Sequence, residues 1–118
     1  MIQIDLRSPQ PIYEQIVSQV KEQVLRGYLR PGDAMPSIRK LSTATQTNPN
    51  TVSRAYQELE RLGILETLKG RGTFIRQDFE RTQDEEALST IRVKLKPLLM
   101  EMLFMGMDDQ EILNEIRG

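Results

Sequence analysis

The chain has 118 residues, enough for one modest domain and a short extension. It contains no Cys and no His, which excludes a disulfide framework and cysteine-based zinc sites and removes the commonest general base and metal ligand. The net charge of −1 hides an asymmetry: residues 1–76 carry 11 Lys and Arg against 7 Asp and Glu, and residues 77–118 carry 5 against 10, so the front part is the candidate for an anionic partner.

There is no Trp and there are only six aromatic residues, three Tyr and three Phe, so the expected core is mostly aliphatic. No apolar run approaches ~18 residues, and no membrane-spanning helix is expected. The opening "MIQIDLRSPQ" lacks the basic and apolar regions of a signal peptide. The expected location is the cytoplasm.

Ile2, Ile4 and Leu6 alternate with Gln3, Asp5 and Arg7, the pattern of a short extended arm. Ser8-Pro9-Gln10-Pro11 breaks it, and Pro11 suits a helix's first turn, where its missing N–H costs nothing. Ile12, Ile16, Val20 and Val24, with Tyr13, Val17, Leu25 and Tyr28, predict a helix from about 11 to 29, stopped by "RPGD". Pro36 and Ser37 open a second, short helix with Ser37 as its cap. Ile38 and Leu41 would face inward, leaving Arg39 and Lys40 outside; Thr43 to Thr47, polar and unperiodic, predicts a turn.

In "NPNTVSRAYQELERLG" (48–63), Asn48 suits an N-cap, Pro49 suits N1, and Gly63 suits C′ of a helix ending at Leu62. Val52, Ala55, Tyr56, Leu59 and Leu62 form one face; Asn50, Thr51, Ser53, Arg54 and Gln57 are left elsewhere. "ILETL" and "TFIRQ" flank "KGRG" (69–72), which predicts a hairpin with a glycine-rich tip. From Thr82 the pattern is helical again, through Leu88, Ile91, Leu95, Leu98, Leu99, Met102 and Leu103, with a kink or break expected near Pro97 and an end at Gly106. Asp84-Glu85-Glu86 suits the first turn of that helix. Met100, Met102, Met105 and Met107 read as core or interface filler. Asp108 and Glu111 form a capping pattern for a last helix carrying Ile112, Leu113 and Ile116.

Helix, short helix, turn, helix and hairpin in that order describe a helix-turn-helix with a wing. In that motif the second helix enters the DNA major groove with its N-terminal residues at base edges. This explains why small hydrogen-bonding residues, poor helix formers, crowd the start of the 48–63 helix. Asn pairs with adenine, Thr and Ser bond bases or phosphates, and short side chains allow close approach. Lys69 and Arg71 on the hairpin tip are placed to reach phosphate or a minor groove. Gly70-Arg71-Gly72 lacks the spacing and following helix of a nucleotide-binding loop. Scattered carboxylates without a constellation argue against an enzyme, and no cofactor or metal is implied.

These residues resemble the GntR family of bacterial transcription regulators over roughly 11–76. The carriers are "GYLRPGDAMPSIRKL" at 27–41, "NPNTVSRA" at 48–55 and "LERLGILETLKGRGTF" at 59–74. The short helical tail is similar to the YtrA-like subfamily, which implies dimerisation through this region and no large effector pocket. By position, the resemblance gives Arg39 the role of a DNA-bonding arginine of the second helix. It places Asn48, Asn50, Thr51 and Ser53 among the recognition residues, and Lys69 and Gly70 at a wing tip entering the minor groove. Many relatives carry arginine where this chain has Pro49 and Ser53, leaving Arg54 as the arginine nearby.

The expected fold is mainly α with a small β-hairpin: a winged helix-turn-helix at 1–78 and a helical dimerisation region at 79–118. The expected function is a sequence-specific DNA-binding transcription regulator, a repressor, bound as a homodimer to an inverted-repeat operator and nucleoid-associated when bound. The expected DNA-binding residues are Arg39, Asn48, Asn50, Thr51, Ser53, Arg54, Lys69, Gly70 and Arg71. The expected dimerisation residues are Leu88, Ile91, Leu95, Leu98, Leu99, Met102 and Leu103. The alternative is a winged-helix module that binds protein without reading DNA sequence; the polar recognition helix and local positive charge argue against it.

Overall fold

The N-terminal arm is held by two glutamines of the first helix. In the computed structural model, which describes residues 2–81 and 83–117, helix α1 spans Ile12–Leu25. Gln15 lies 5% exposed beneath the arm. Its side-chain carbonyl accepts the Asp5 N–H at 2.9 Å, and its amide donates to the carbonyls of Asp5 and Gln10, both at 2.9 Å. Gln19 treats Gln3 in the same two-sided way. A buried amide with each polar atom paired replaces the ladder that a neighbouring strand would give. Ile2 and Ile4 thereby pack on the core, whereas Leu6, expected with them, is 83% exposed.

Helix α1 buries Ile16, Val17 and Val20. It stops at Leu25, earlier than expected from the apolar spacing, because Gly27 at φ +79° lets the Tyr28 N–H reach back to the Gln23 carbonyl at 2.9 Å. Leu25 and Tyr28, expected on the buried stripe, are therefore exposed.

Helix α2 spans Ile38–Thr45 and is capped by the Ser37 hydroxyl, which accepts the Lys40 N–H at 3.0 Å. Thr43 and Thr45, expected in a turn, are helical: their hydroxyls donate to the carbonyls of Arg39 and Leu41, so their polarity is absorbed within the helix. The turn is confined to Gln46 and Thr47. Gln46 is left-handed at φ +53°, and Ser42 donates its hydroxyl to the Thr47 carbonyl at 2.7 Å.

Helix α3 spans Pro49–Arg61, with Asn48 capping the Asn50 N–H at 2.8 Å and Gly63 at φ +77° past its end. Val52, Ala55, Tyr56 and Leu59 are buried, as their spacing predicts; Leu62, expected with them, is partly exposed at the C-cap. The Tyr56 hydroxyl donates to the Pro36 carbonyl at 2.6 Å, tying α3 to the segment that leads into α2. Burial pushes the Tyr56 phenol up to about 12. An unfolded tyrosine titrates near pH 10. Below that the phenol is neutral in both states; above it the unfolded state loses the proton first. The extra stability due to Tyr56 should therefore fall by about 2 kcal/mol as pH rises from roughly 10 to 12. Urea unfolding of Tyr56→Phe should lack that share of the alkaline loss, and at neutral pH the variant should be about 1 kcal/mol less stable for want of the hydrogen bond.

Strands β1 (Leu65–Leu68) and β2 (Gly72–Ile75) pair antiparallel, Leu65 opposite Ile75 and Leu68 opposite Gly72. The sequence pattern did not show a third participant. Residues 32–35 run along the free edge of β2, with Gly32 and Met35 N–H groups donating to the carbonyls of Ile75 and Thr73, and Ala34 bridging Phe74. This segment reads in sequence only as a helix stop, because its pairing is long-range. The core comprises residues of α1, α2, α3 and the hairpin together with Met35.

The chain divides into two compact units, Met1–Glu80 and Arg81–Gly118. In the second, helix α4 spans Glu85–Phe104 and α5 spans Asp109–Arg117. The start expected at Thr82 lies outside the described residues; Asp84 caps α4 by accepting the Ala87 N–H at 3.1 Å. Pro97 does not break α4, which runs through it. One missing N–H donor in a twenty-residue helix is tolerated there. Asp108 and Glu111 form the expected reciprocal capping box of α5.

Candidate nucleic-acid interface

The core stripe of α3 determines what it leaves outside. With Val52, Ala55, Tyr56 and Leu59 buried, Asn50, Arg54, Gln57 and Arg61 fall on the outward ridge at helical spacing, and all four are exposed. Thr51 and Ser53 flank the ridge and are half-buried. Asn48 is exposed but spends its carbonyl oxygen on the cap. Among the described residues the Asn50 side chain makes no hydrogen bond, so its donor and acceptor are available.

Arg39, on the first turn of α2, is exposed beside Lys40. The wing tip is the three-residue loop Lys69-Gly70-Arg71, all exposed. Gly70 and Gly72 sit at φ +77° and +107°, which suit glycine and keep the tip slim. Strand β1 of the wing is braced to α3: Thr67 donates to a Glu60 carboxylate oxygen at 2.8 Å.

An open groove of about 840 Å³ runs between the start of α2 and the wing, bordered by Ser37, Arg39, Lys40, Thr43, Arg71 and Thr73. Its charged lining is cationic, with no carboxylate. Among the described residues, Arg39, Lys40, Arg54, Lys69 and Arg71 have no carboxylate within 4.0 Å, whereas Arg26, Arg61 and Arg76 are each paired. The Arg61 guanidinium holds the Glu58 carboxyl below its ordinary range, and the Asp78 carboxyl is lowered in the same way by Arg76.

The structure thus brings Arg39 and Arg71 together around one groove and sets Asn50 and Arg54 on one ridge. It adds two residues that the sequence reading did not select. Lys40 lines the groove, and its outward position was legible from the α2 pattern. Gln57 continues the Asn50–Arg54 ridge, and its signal was its spacing from Asn50.

In the second unit, α4 and α5 bury no residue. Ile91, Leu95, Leu98 and Leu103 are exposed, and Leu88, Leu99 and Met102 half-buried. Val93, Met100, Phe104 and Met105, outside the expected stripe, are exposed as well, so the apolar surface of α4 is broader than one stripe.

Three helices with a tight turn before the third, and a cation-tipped hairpin after it, define a winged helix-turn-helix of the DNA-binding kind. The chain belongs to the bacterial regulatory proteins of the gntR family, which matches residues 12–75. It is 49% identical over 112 residues to the HTH-type transcriptional repressor YtrA of Bacillus subtilis strain 168, covering 95% of this chain and 86% of that protein. Among solved structures it is similar to a transcriptional antiterminator from Listeria monocytogenes EGD-e, at TM-score 0.79 and 41% identity, over 99% of this chain and 87% of the other. It is also similar to YtrA from Sulfolobus acidocaldarius, a GntR-family transcription factor, at TM-score 0.60 and 36% identity, over 97% and 91%. The protein is accordingly a DNA-binding transcription regulator rather than an enzyme, and no helix of the described residues is long and apolar enough to cross a membrane.

Proposed function

We propose that the protein is a transcriptional repressor that binds an inverted-repeat operator on the bacterial chromosome as a homodimer. The winged unit, residues 1–78, contacts DNA, and residues 79–118 join two copies. The observation that carries the reading is the cationic groove between α2 and the wing, its cations unpaired among the described residues, together with the exposed Asn50–Arg54 ridge of α3. Repression is supported by the name of the Bacillus relative. The homodimer is supported by the uncovered apolar surface of α4, since twofold pairing is the commonest way to cover such a surface.

Each recognition helix α3 occupies one major groove, so the symmetry of the protein is mirrored in the site. Asn50, Thr51 and Ser53 meet bases, with Asn48 holding the helix start. Arg39, Arg54, Lys69 and Arg71 supply charge, and Gly70 lets the wing tip approach closely. Fluorescence-anisotropy titration against DNA from upstream of the protein's own gene tests this. Tight binding should appear with an affinity that falls steeply with salt, by ~0.9 log units per log unit of salt for each phosphate neutralised. A salt-independent affinity, or equal affinity for unrelated duplexes, would overturn it.

A further inference from the structure

Arg54 is the cation of the α3 ridge with a built-in resting place. Its guanidinium carbon lies 3.8 Å from the centroid of the Tyr13 ring on α1. Glu58, one turn further along α3, is the acid spaced to capture it. That carboxylate is held instead through both oxygens by Arg61. Arg54 therefore has the face of its plane covered and its N–H edges unclaimed by any carboxylate among the described residues. The ring beneath it is itself fixed: Tyr13 is half-buried, packs on the core, and donates its hydroxyl to Glu14 at 3.2 Å. Asn50, Thr51, Arg54 and Tyr13 border one shallow concavity of about 410 Å³ with Pro11 and Ile12, and no carboxylate lines it.

Resting on the reading of this surface as DNA-binding, we infer that Tyr13 is a positioning residue that holds the Arg54 guanidinium ready for a backbone phosphate beside the bases met by Asn50. Stacking on Tyr13 draws Arg54 from the outward ridge of α3 toward the start of α1. That displacement favours the wall of a major groove over its floor, hence phosphate over base edge. A guanidinium stacked through its face keeps the in-plane N–H pairs that grip phosphate through two oxygens. The side-chain ordering that binding would demand is then largely met before DNA arrives.

The test is a double-mutant cycle on the full chain, read by anisotropy across a salt series with both the upstream duplex and a random-sequence duplex. Arg54→Ala should weaken binding to both about tenfold or more and flatten the salt slope by ~0.9, the loss of one phosphate. Tyr13→Leu should weaken binding roughly two- to fivefold in the parent and have no further effect in the Arg54→Ala background. Tyr13→Phe, which keeps the ring, should bind like the parent. Arg54→Lys keeps the charge but not the planar stack, and should fall between parent and Arg54→Ala; this variant needs no change at Tyr13 and keeps the test open if Tyr13→Leu folds poorly. Equal losses from Tyr13→Leu in both backgrounds, or full affinity in Arg54→Lys, would overturn the positioning role. Loss confined to the upstream duplex in Arg54→Ala would overturn the phosphate assignment. Failure of the parent to bind any duplex would refute the DNA-binding reading itself, a distinct result.

Discussion

Leu95→Asp should turn the protein into a monomer and weaken operator binding more than a hundredfold, while the winged unit still melts cooperatively. Leu95 lies between Ile91 and Leu98 on α4, and all three are exposed within the single chain. Neither α4 nor α5 buries a residue within the single chain, and α5, only nine residues long, is too short to cover them. Covering a leucine fully contributes about 1.5–3 kcal/mol, and a twofold interface counts each residue twice. Burying an aspartate there would strip its carboxylate of water, a cost of several kcal/mol per copy. The loss of DNA affinity follows from geometry: two linked recognition helices gain from effective concentration, typically by 10²–10⁴, and a monomer has only one. Light scattering should give the single-chain mass for the variant and twice that for the parent. A parent that scatters as a monomer, or a variant that remains a dimer, would remove the basis for the dimeric operator complex. Leu99→Asp should act in the same direction, although Leu99 is already half-buried in one chain and this variant also tests the unit's own packing.

What the sequence disclosed and what it concealed divide along the range of the interactions involved. Helix α3 was legible almost to the residue because its signals are local: Asn48 caps, Pro49 follows, Gly63 closes, and the core stripe repeats at helical spacing. The capping box of α5 was legible for the same reason. Residues 32–35 were not recognised as a strand edge, because their partners on β2 lie forty residues away and "RPGD" carries a strong local stop signal. Thr43 and Thr45 were misplaced because threonine weakly opposes helix in isolation, and only their back-bonds to Arg39 and Leu41 show how the helix accommodates them. Of the candidate site, the ridge residues followed from which face of α3 is apolar. The Tyr13–Arg54 stack did not, since it joins two helices forty-one positions apart in sequence. Lys40 and Gln57 were visible as outward residues, but their membership of a groove and a ridge depends on the packing of α2 and α3.

Asn50→Ala should cost ~1–3 kcal/mol on the cognate operator and much less on random DNA. Lys69→Ala should weaken both about equally. The difference follows from where each side chain sits. Asn50 lies on the first turn of α3, on the outward ridge, with its backbone N–H engaged by Asn48 and its side-chain amide free among the described residues. The helix cap therefore survives the substitution. A free amide presents a donor and an acceptor side by side, the pair that adenine offers in the major groove. Lys69 instead stands on a three-residue loop beside Gly70, as a flexible point charge with no carboxylate within 4.0 Å among the described residues. Such a charge follows the phosphate potential and not the base sequence, so its loss should flatten the salt slope by about one contact. Both residues are exposed, and both variants should melt within a degree or two of the parent, as expected for surface changes within ~0.5 kcal/mol. The decisive measurement is the ratio of cognate to random affinity at fixed salt for each folded variant. That ratio should collapse for Asn50→Ala and persist for Lys69→Ala. Equal weakening of both duplexes by Asn50→Ala would move base reading away from Asn50, to Thr51, Ser53 or Gln57 on the same helix.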